Sequence, residues 1–171
     1  MKTSKQLLAS LSQTALLPQE ETLEIGRKKG NLCIGIPKEI SFQENRVALV
    51  PDAVSLLVNN GHHVIIESAA GKMANFQDHD YSEAGAQIVY NPADVYKADI
   101  ILKVAPPSPE EIGMMQQKQT LISSLQLTVQ PEDFIRQLMA KKITAIAFDW
   151  IKDQDGIYTV IRSMGEIAGS T

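Results

Sequence analysis

Six short runs of aliphatic and β-branched residues, spaced by segments that open on proline or on a polar cap, leave this chain few folds to choose from. The runs fall at 32–36, 63–67, 87–89, 100–104, 120–123 and 143–148. Each is too short for a stable helix and has the Ile and Val content of a buried strand. Between them, Pro51 opens a helical segment that Asn60-Gly61 ends, and Asn91-Pro92 caps another. Pro109-Glu110-Glu111 and Pro131-Glu132-Asp133 start two more. Proline fits a first helical turn, where its missing N–H costs nothing, and the acids behind it complement the helix dipole. Strand and helix therefore alternate, which predicts an α/β fold: a mostly parallel sheet with helices on both faces. Ligands of such sheets sit beyond the carboxyl ends of the strands. The segments after Ile36, Glu67, Val104, Leu125 and Phe148 are thus where binding residues are expected.

The 171 residues suit one domain of ordinary size, and 44% hydrophobic against 21% charged residues is enough to build a core. With 16 basic and 20 acidic residues interspersed, a net charge of −4 offers no footprint for nucleic acid or anionic lipid. No apolar stretch approaches the ~20 residues of a membrane helix, so no membrane insertion is expected. Residues 1–30 carry local leucine spacing, then Glu20 and Glu21 followed by Arg27, Lys28 and Lys29 before Gly30. That pattern predicts a helical amino-terminal extension, ahead of a domain spanning 31–171. The amino terminus lacks the long apolar centre of a secretion signal, and the single cysteine cannot form an internal disulfide, so a cytoplasmic protein is expected.

The motifs for common chemistry are missing. No Gly-x-Gly-x-x-Gly follows a strand and no phosphate-binding Gly-x-x-x-x-Gly-Lys-Ser/Thr exists. His62 and His63, adjacent on a strand, point to opposite faces, and His79 stands in a helix-start segment, so no metal site is expected. Cys33 reads as a buried structural thiol in the first strand. Arg46 stands out, because it follows the strand ending at Ile36 and precedes the helix at Pro51. There its planar fork could hold a carboxylate or phosphate, or simply pair with Glu39 or Glu44.

Ile34-Gly35-Ile36-Pro37-Lys38-Glu39, Glu44-Asn45-Arg46-Val47-Ala48, Gly61-His62, Ala84-Gly85-Ala86, Ile101-Leu102-Lys103-Val104 and the Met164-to-Gly169 segment occur in order. Together they resemble the amino-terminal domain shared by alanine dehydrogenases and the transhydrogenase alpha subunit. The resemblance implies a flavodoxin-like or Rossmann-like substrate lobe of an oxidoreductase using NAD(H) or NADP(H), with the cofactor bound mainly by a domain outside this chain. It also implies a homo-oligomer, an amino-acid or 2-oxo-acid substrate, and no turnover by this piece alone. By the same resemblance Arg46 and Lys103 are candidate substrate-binding residues and Met164 a candidate cofactor contact. Ala105 and Gln126 occupy the places of the family's substrate-binding lysine and acid/base histidine. Neither can supply charge or titrate near neutrality, which leaves no catalytic residue assigned. Three functions stay open: an alanine-dehydrogenase-like enzyme catalysing reversible oxidative deamination of L-alanine, a transhydrogenase-like hydride-transfer protein, and a nonenzymatic NAD(H)-responsive or assembly protein.

Overall fold

The computed structural model describes residues 30–169. The chain divides into two units, Met1–Gly30 and Asn31–Thr171, and all that follows concerns the second. The helical extension expected over 1–30 lies outside the described residues except for Gly30.

Six strands form one sheet: β1 (Cys33–Ile36), β2 (His63–Glu67), β3 (Gln87–Val89), β4 (Ile100–Leu102), β5 (Thr120–Ser123) and β6 (Thr144–Ala147). Every pairing is parallel and the order is β3-β2-β1-β4-β5-β6. Of the two doubly wound patterns, this is the one in which chain progress reverses between β1 and β4, opening a crevice at their carboxyl ends. Six α-helices accompany the strands: α1 (Pro51–Asn59), α2 (Asp78–Glu83), α3 (Pro92–Val95), α4 (Pro109–Met114), α5 (Glu132–Ala140) and α6 (Thr159–Gly169). None of them is long and apolar enough to cross a membrane.

Alternation along the strands divides the core between the two faces of the sheet. On one, Ile36, Val64 and Ile66 pack with Val54 of α1 and Tyr81 of α2. On the other, Ile101 and Leu121 pack with Ile112 of α4 and with Phe134 and Leu138 of α5. Phe134 and Leu138 stand four residues apart, on one side of their helix. Gly35 makes the crevice tight: a Cβ there would stand 2.5 Å from the Val95 carbonyl oxygen and 3.0 Å from the Ala98 Cβ. Only glycine lets α3 press this closely onto β1. Gly61, at φ +87°, reverses the chain after α1.

Three expectations need correction. Cys33 is half-buried, because it is the first residue of β1, although it packs against the α4–α5 core. Burial and the nearby Asp99 carboxylate push its thiol pKa up. β6 is an edge strand, with Thr144, Ala145 and Ile146 exposed, since among the described residues no strand lies beyond it. Pro131 caps α5 from outside the helix, while Pro51, Pro92 and Pro109 do take first-turn positions.

Candidate functional site

Pro37 halts β1 at the crevice, and the next two residues tie the strand ends together. The Lys38 backbone N–H donates to Glu67 Oε2 at 2.9 Å, linking the ends of β1 and β2. Glu39 reaches across to β4, where its Oε1 accepts the Val104 N–H at 2.6 Å. Its Oε2 lies 3.0 Å from the Lys103 ammonium, in an ion-pair contact without hydrogen-bond geometry. Lys103 Nζ also donates to Glu111 Oε1 at 2.9 Å, and the Tyr96 hydroxyl donates to the same oxygen at 2.8 Å. Glu111 Oε2 accepts the Ser108 N–H at 2.7 Å, while the Glu111 N–H donates to Ser108 Oγ, closing a capping box at the start of α4. The side chains are sealed from solvent, at 0% exposure for Lys103, 4% for Glu39 and 6% for Glu111. Burial, then the Glu111 carboxylate, drives the Tyr96 phenol pKa far up, so Tyr96 stays a proton donor.

This cluster changes how Lys103 reads. Its single positive charge already faces two carboxylates, and all three are withdrawn from water. The crevice where a doubly wound fold receives a dinucleotide is thus filled by acid. The Val104 N–H, which could have met a phosphate, is consumed by Glu39, and the Lys38 N–H by Glu67. The residues present do not fit a pyrophosphate here.

Arg46 lies on the loop beyond this cluster. Its Nε donates to Glu44 Oε1 at 2.8 Å and its Nη2 to Oε2 at 2.6 Å, a bidentate pair in which the arginine side chain keeps 55% exposure. Glu44 is held below the usual carboxylate range, first by that side-chain hydrogen bond. Glu44, rather than Glu39, is therefore the ion-pair partner. The Nη1 corner turns away from Glu44 and lies 3.9 Å from the Met164 sulfur, 118 residues further along the chain. Arg46 and Met164 thus meet at the rim of a cavity of about 260 Å³, whose walls include Val47, Ala48, Leu102, Ile122, Phe148 and Val160. Lys103 also lines it, with its ammonium engaged as described.

Ala105 is buried and brings no polar group. Gln126 takes the left-handed region at φ 47° and lines a second cavity, of about 470 Å³, beyond β5 and β6. Leu127, Val129, Trp150 and Ile161 supply its apolar walls, and Thr128, Asp149 and Tyr158 its polar groups. Trp150 and Tyr158 meet edge to face, at 6.1 Å between centroids. Sequence reasoning named Arg46, Lys103 and Met164, which line one cavity, named Glu39 only as a possible partner of Arg46, and did not single out Glu111, Tyr96 or Asp149. The Ser108-x-x-Glu111 capping-box spacing was the one available signal for Glu111, because a buried partner 65 residues away, as between Glu39 and Val104, has no local signature.

Comparison with known proteins agrees with this fold. The family model for the alanine dehydrogenase/PNT N-terminal domain matches residues 35–168. Alanine dehydrogenase of Bacillus subtilis (strain 168) is 38% identical over 138 residues, covering 81% of this chain and 36% of the relative. That of Staphylococcus saprophyticus is 40% identical over 138 residues, covering 81% and 37%. A solved L-alanine dehydrogenase superposes with a TM-score of 0.71 at 40% identity, over 74% of this chain and 35% of the other. A transhydrogenase from Sinorhizobium meliloti superposes with a TM-score of 0.65 at 30% identity, over 70% and 34%. The chain spans little more than a third of the length of these relatives. It belongs to the alanine dehydrogenase/PNT N-terminal domain family.

Proposed function

We propose that this chain is the substrate-side lobe of an NAD(P)-dependent oxidoreductase. The full-length protein oxidatively deaminates L-alanine, or a related amino acid with an apolar side chain, reversibly to the 2-oxo acid and ammonia. The observation that carries the reading is Arg46, held by Glu44 along one edge and presenting Nη1 at the rim of an apolar cavity. A guanidinium fixed in this way is pre-oriented to take a substrate carboxylate, and the walls around it exclude water from the substrate's aliphatic part. The nicotinamide cofactor belongs to the reaction as hydride acceptor. The acid-filled β1–β4 crevice does not suit its phosphates, so we assign its binding to chain outside the described residues.

A second reading has one observation in its favour. Ala105 is buried without a polar atom, and Gln126 cannot exchange protons near neutrality. A lobe that closes over a nicotinamide without binding an amino acid needs neither group, as in a transhydrogenase-like protein. Steady-state kinetics of the full-length protein with alanine, with pyruvate plus ammonia, and with larger 2-oxo acids decides between the two. Arg46→Ala is expected to lower kcat/KM by about a hundredfold, the loss of a charge-assisted contact to the substrate carboxylate, with partial recovery in Arg46→Lys. No turnover of any such substrate, together with hydride transfer between NAD(H) and a nicotinamide analogue, would replace the first reading with the second.

A further inference from the structure

The larger cavity, beyond β5 and β6, has a feature that packing does not require. Asp149 stands in the short 3-10 turn Phe148–Trp150 and lines this cavity, where its neighbours are mainly apolar. Its Oδ1 is buried, and no hydrogen bond reaches it among the described residues. That oxygen has no surface open to the cavity, so a ligand meets the carboxylate only through Oδ2; among the described residues Asp149 has no ion-pair partner, and a carboxylate without a counter-ion on a mainly apolar wall favours a ligand that brings positive charge. The other polar groups on the wall, the Gln126 amide, the Thr128 hydroxyl and the Tyr158 phenol, are uncharged in character, so Asp149 sets the sign of the site. Among the described residues no ion pair joins a cation to Asp149, and Lys152 Nζ lies 4.5 Å from the centroid of the Tyr158 ring. Lys152 therefore takes up that ring rather than Asp149.

We propose that this cavity binds the protonated primary amine of an aliphatic compound, with Asp149 as its counter-ion and Trp150, Leu127, Val129 and Ile161 around its hydrocarbon part. An anion is rejected by Asp149, and a neutral alcohol gains only an ordinary hydrogen bond. Phe148 lines the Arg46 cavity while Asp149, the next residue, lines this one. Val160 and Ile161 of α6 divide in the same way. The two cavities thus lie to either side of these segments, one with a cationic and one with an anionic residue on its wall. Identifying the bound amine as the amino group of the substrate rests on the function proposed above; the amine site itself does not.

Trp150 is the only tryptophan in the chain and lines the cavity, so its fluorescence reports occupancy. The 171-residue chain, titrated with isobutylammonium chloride at neutral pH against sodium chloride of matched ionic strength, is expected to show a saturable emission change. Isobutanol is expected to bind at least about tenfold more weakly, and Asp149→Asn to weaken the ammonium by a similar factor, with Asp149→Glu recovering part of it. Far-ultraviolet circular dichroism checks that the variants fold, and the ammonium–alcohol comparison on the unaltered chain needs no variant. The proposal is overturned by absence of saturation, by equal binding of alcohol and ammonium, or by an unchanged Asp149→Asn. In the full-length protein, turnover of an amino acid with a KM indifferent to Asp149→Asn would remove the substrate-amine assignment and leave the proposed reaction standing. Ammonium binding through Asp149 with no turnover would do the reverse.

Discussion

Replacing Lys103 by methionine separates its scaffold role from a ligand-binding role. The side chain is fully sealed, with Nζ 3.0 Å from Glu39 Oε2 and 2.9 Å from Glu111 Oε1. Methionine roughly keeps the volume but leaves two buried carboxylates without a counter-ion. Breaking a buried pair in this way typically costs about 3–5 kcal/mol. Both carboxylates keep other donors here, the Val104 N–H for Glu39 and the Tyr96 hydroxyl and Ser108 N–H for Glu111, so the lower end applies. Against a total of about 5–15 kcal/mol for a domain, a loss near 3 kcal/mol is large. With a urea slope of about 1–3 kcal/mol/M, it should lower the unfolding midpoint by at least about 1 M. The double variant Lys103→Met, Glu39→Gln should recover part of the loss, because one of the two orphaned charges is gone while the Val104 N–H keeps an acceptor. Equilibrium urea unfolding followed by far-ultraviolet circular dichroism measures all three proteins. A Lys103→Met cost below about 0.5 kcal/mol at an unchanged slope would refute the reasoning, since surface ion pairs contribute that little, and would return Lys103 to the candidates for holding a substrate carboxylate.

The remaining expectations draw on other parts of the fold. Gly35→Ala should destabilise by about 2–3 kcal/mol in the same urea assay, because the new Cβ meets the fixed Val95 carbonyl oxygen at 2.5 Å; a neutral effect would mean that α3 can slide on β1. Tyr81→Phe should cost about 1 kcal/mol, since it strips the 2.8 Å donor from the Leu49 carbonyl, and ultraviolet titration of Tyr81 should give a phenol pKa pushed up to about 12. Cys33 should react with iodoacetamide more slowly than a free thiol at pH 8, because burial and then Asp99 disfavour the thiolate; a rate at or above that of free cysteine would contradict the half-buried strand position. Calorimetry on this chain should find NAD and NADH binding weaker than micromolar, because Glu39 and Glu67 occupy the amides at the crevice.

Much of the fold was legible in the sequence because strand period and proline-opened helices act locally. β2, β3 and β5 coincide with their apolar runs at 63–67, 87–89 and 120–123. The 32–36 run ends with β1 at Ile36, while two others overshoot where chemistry rather than hydrophobicity ends the strand. The 100–104 run stops at Leu102, because Lys103 turns into the charged cluster, and the 143–148 run stops at Ala147, where the 3-10 turn carrying Asp149 begins. The edge position of β6 was not legible, since strand order depends on which crossover the chain takes and leaves no mark in a single run. Arg46 was legible as a candidate from its place after a strand end, and it lines a cavity wall in the fold. Its bidentate partner was legible only as one of two nearby acids, and Glu44 had the shorter loop to span.

The crevice shows why the fold alone misleads about the ligand. The strand order is the one that holds dinucleotides, and the same backbone donors that would cradle a pyrophosphate are present at Lys38 and Val104. In this chain Glu67 and Glu39 take those donors, and Lys103 with Tyr96 and Ser108 completes the neighbouring polar groups around Glu111. The strand ends are thereby locked by carboxylates of the protein's own, which gives rigidity where a nucleotide-binding lobe would keep a vacant anion site. Further out, Arg46 on the loop beyond β1 and Asp149 beyond β6 put one cationic and one anionic residue on the walls of two cavities. That distribution of charge is a property of the side chains, which strand order alone does not contain.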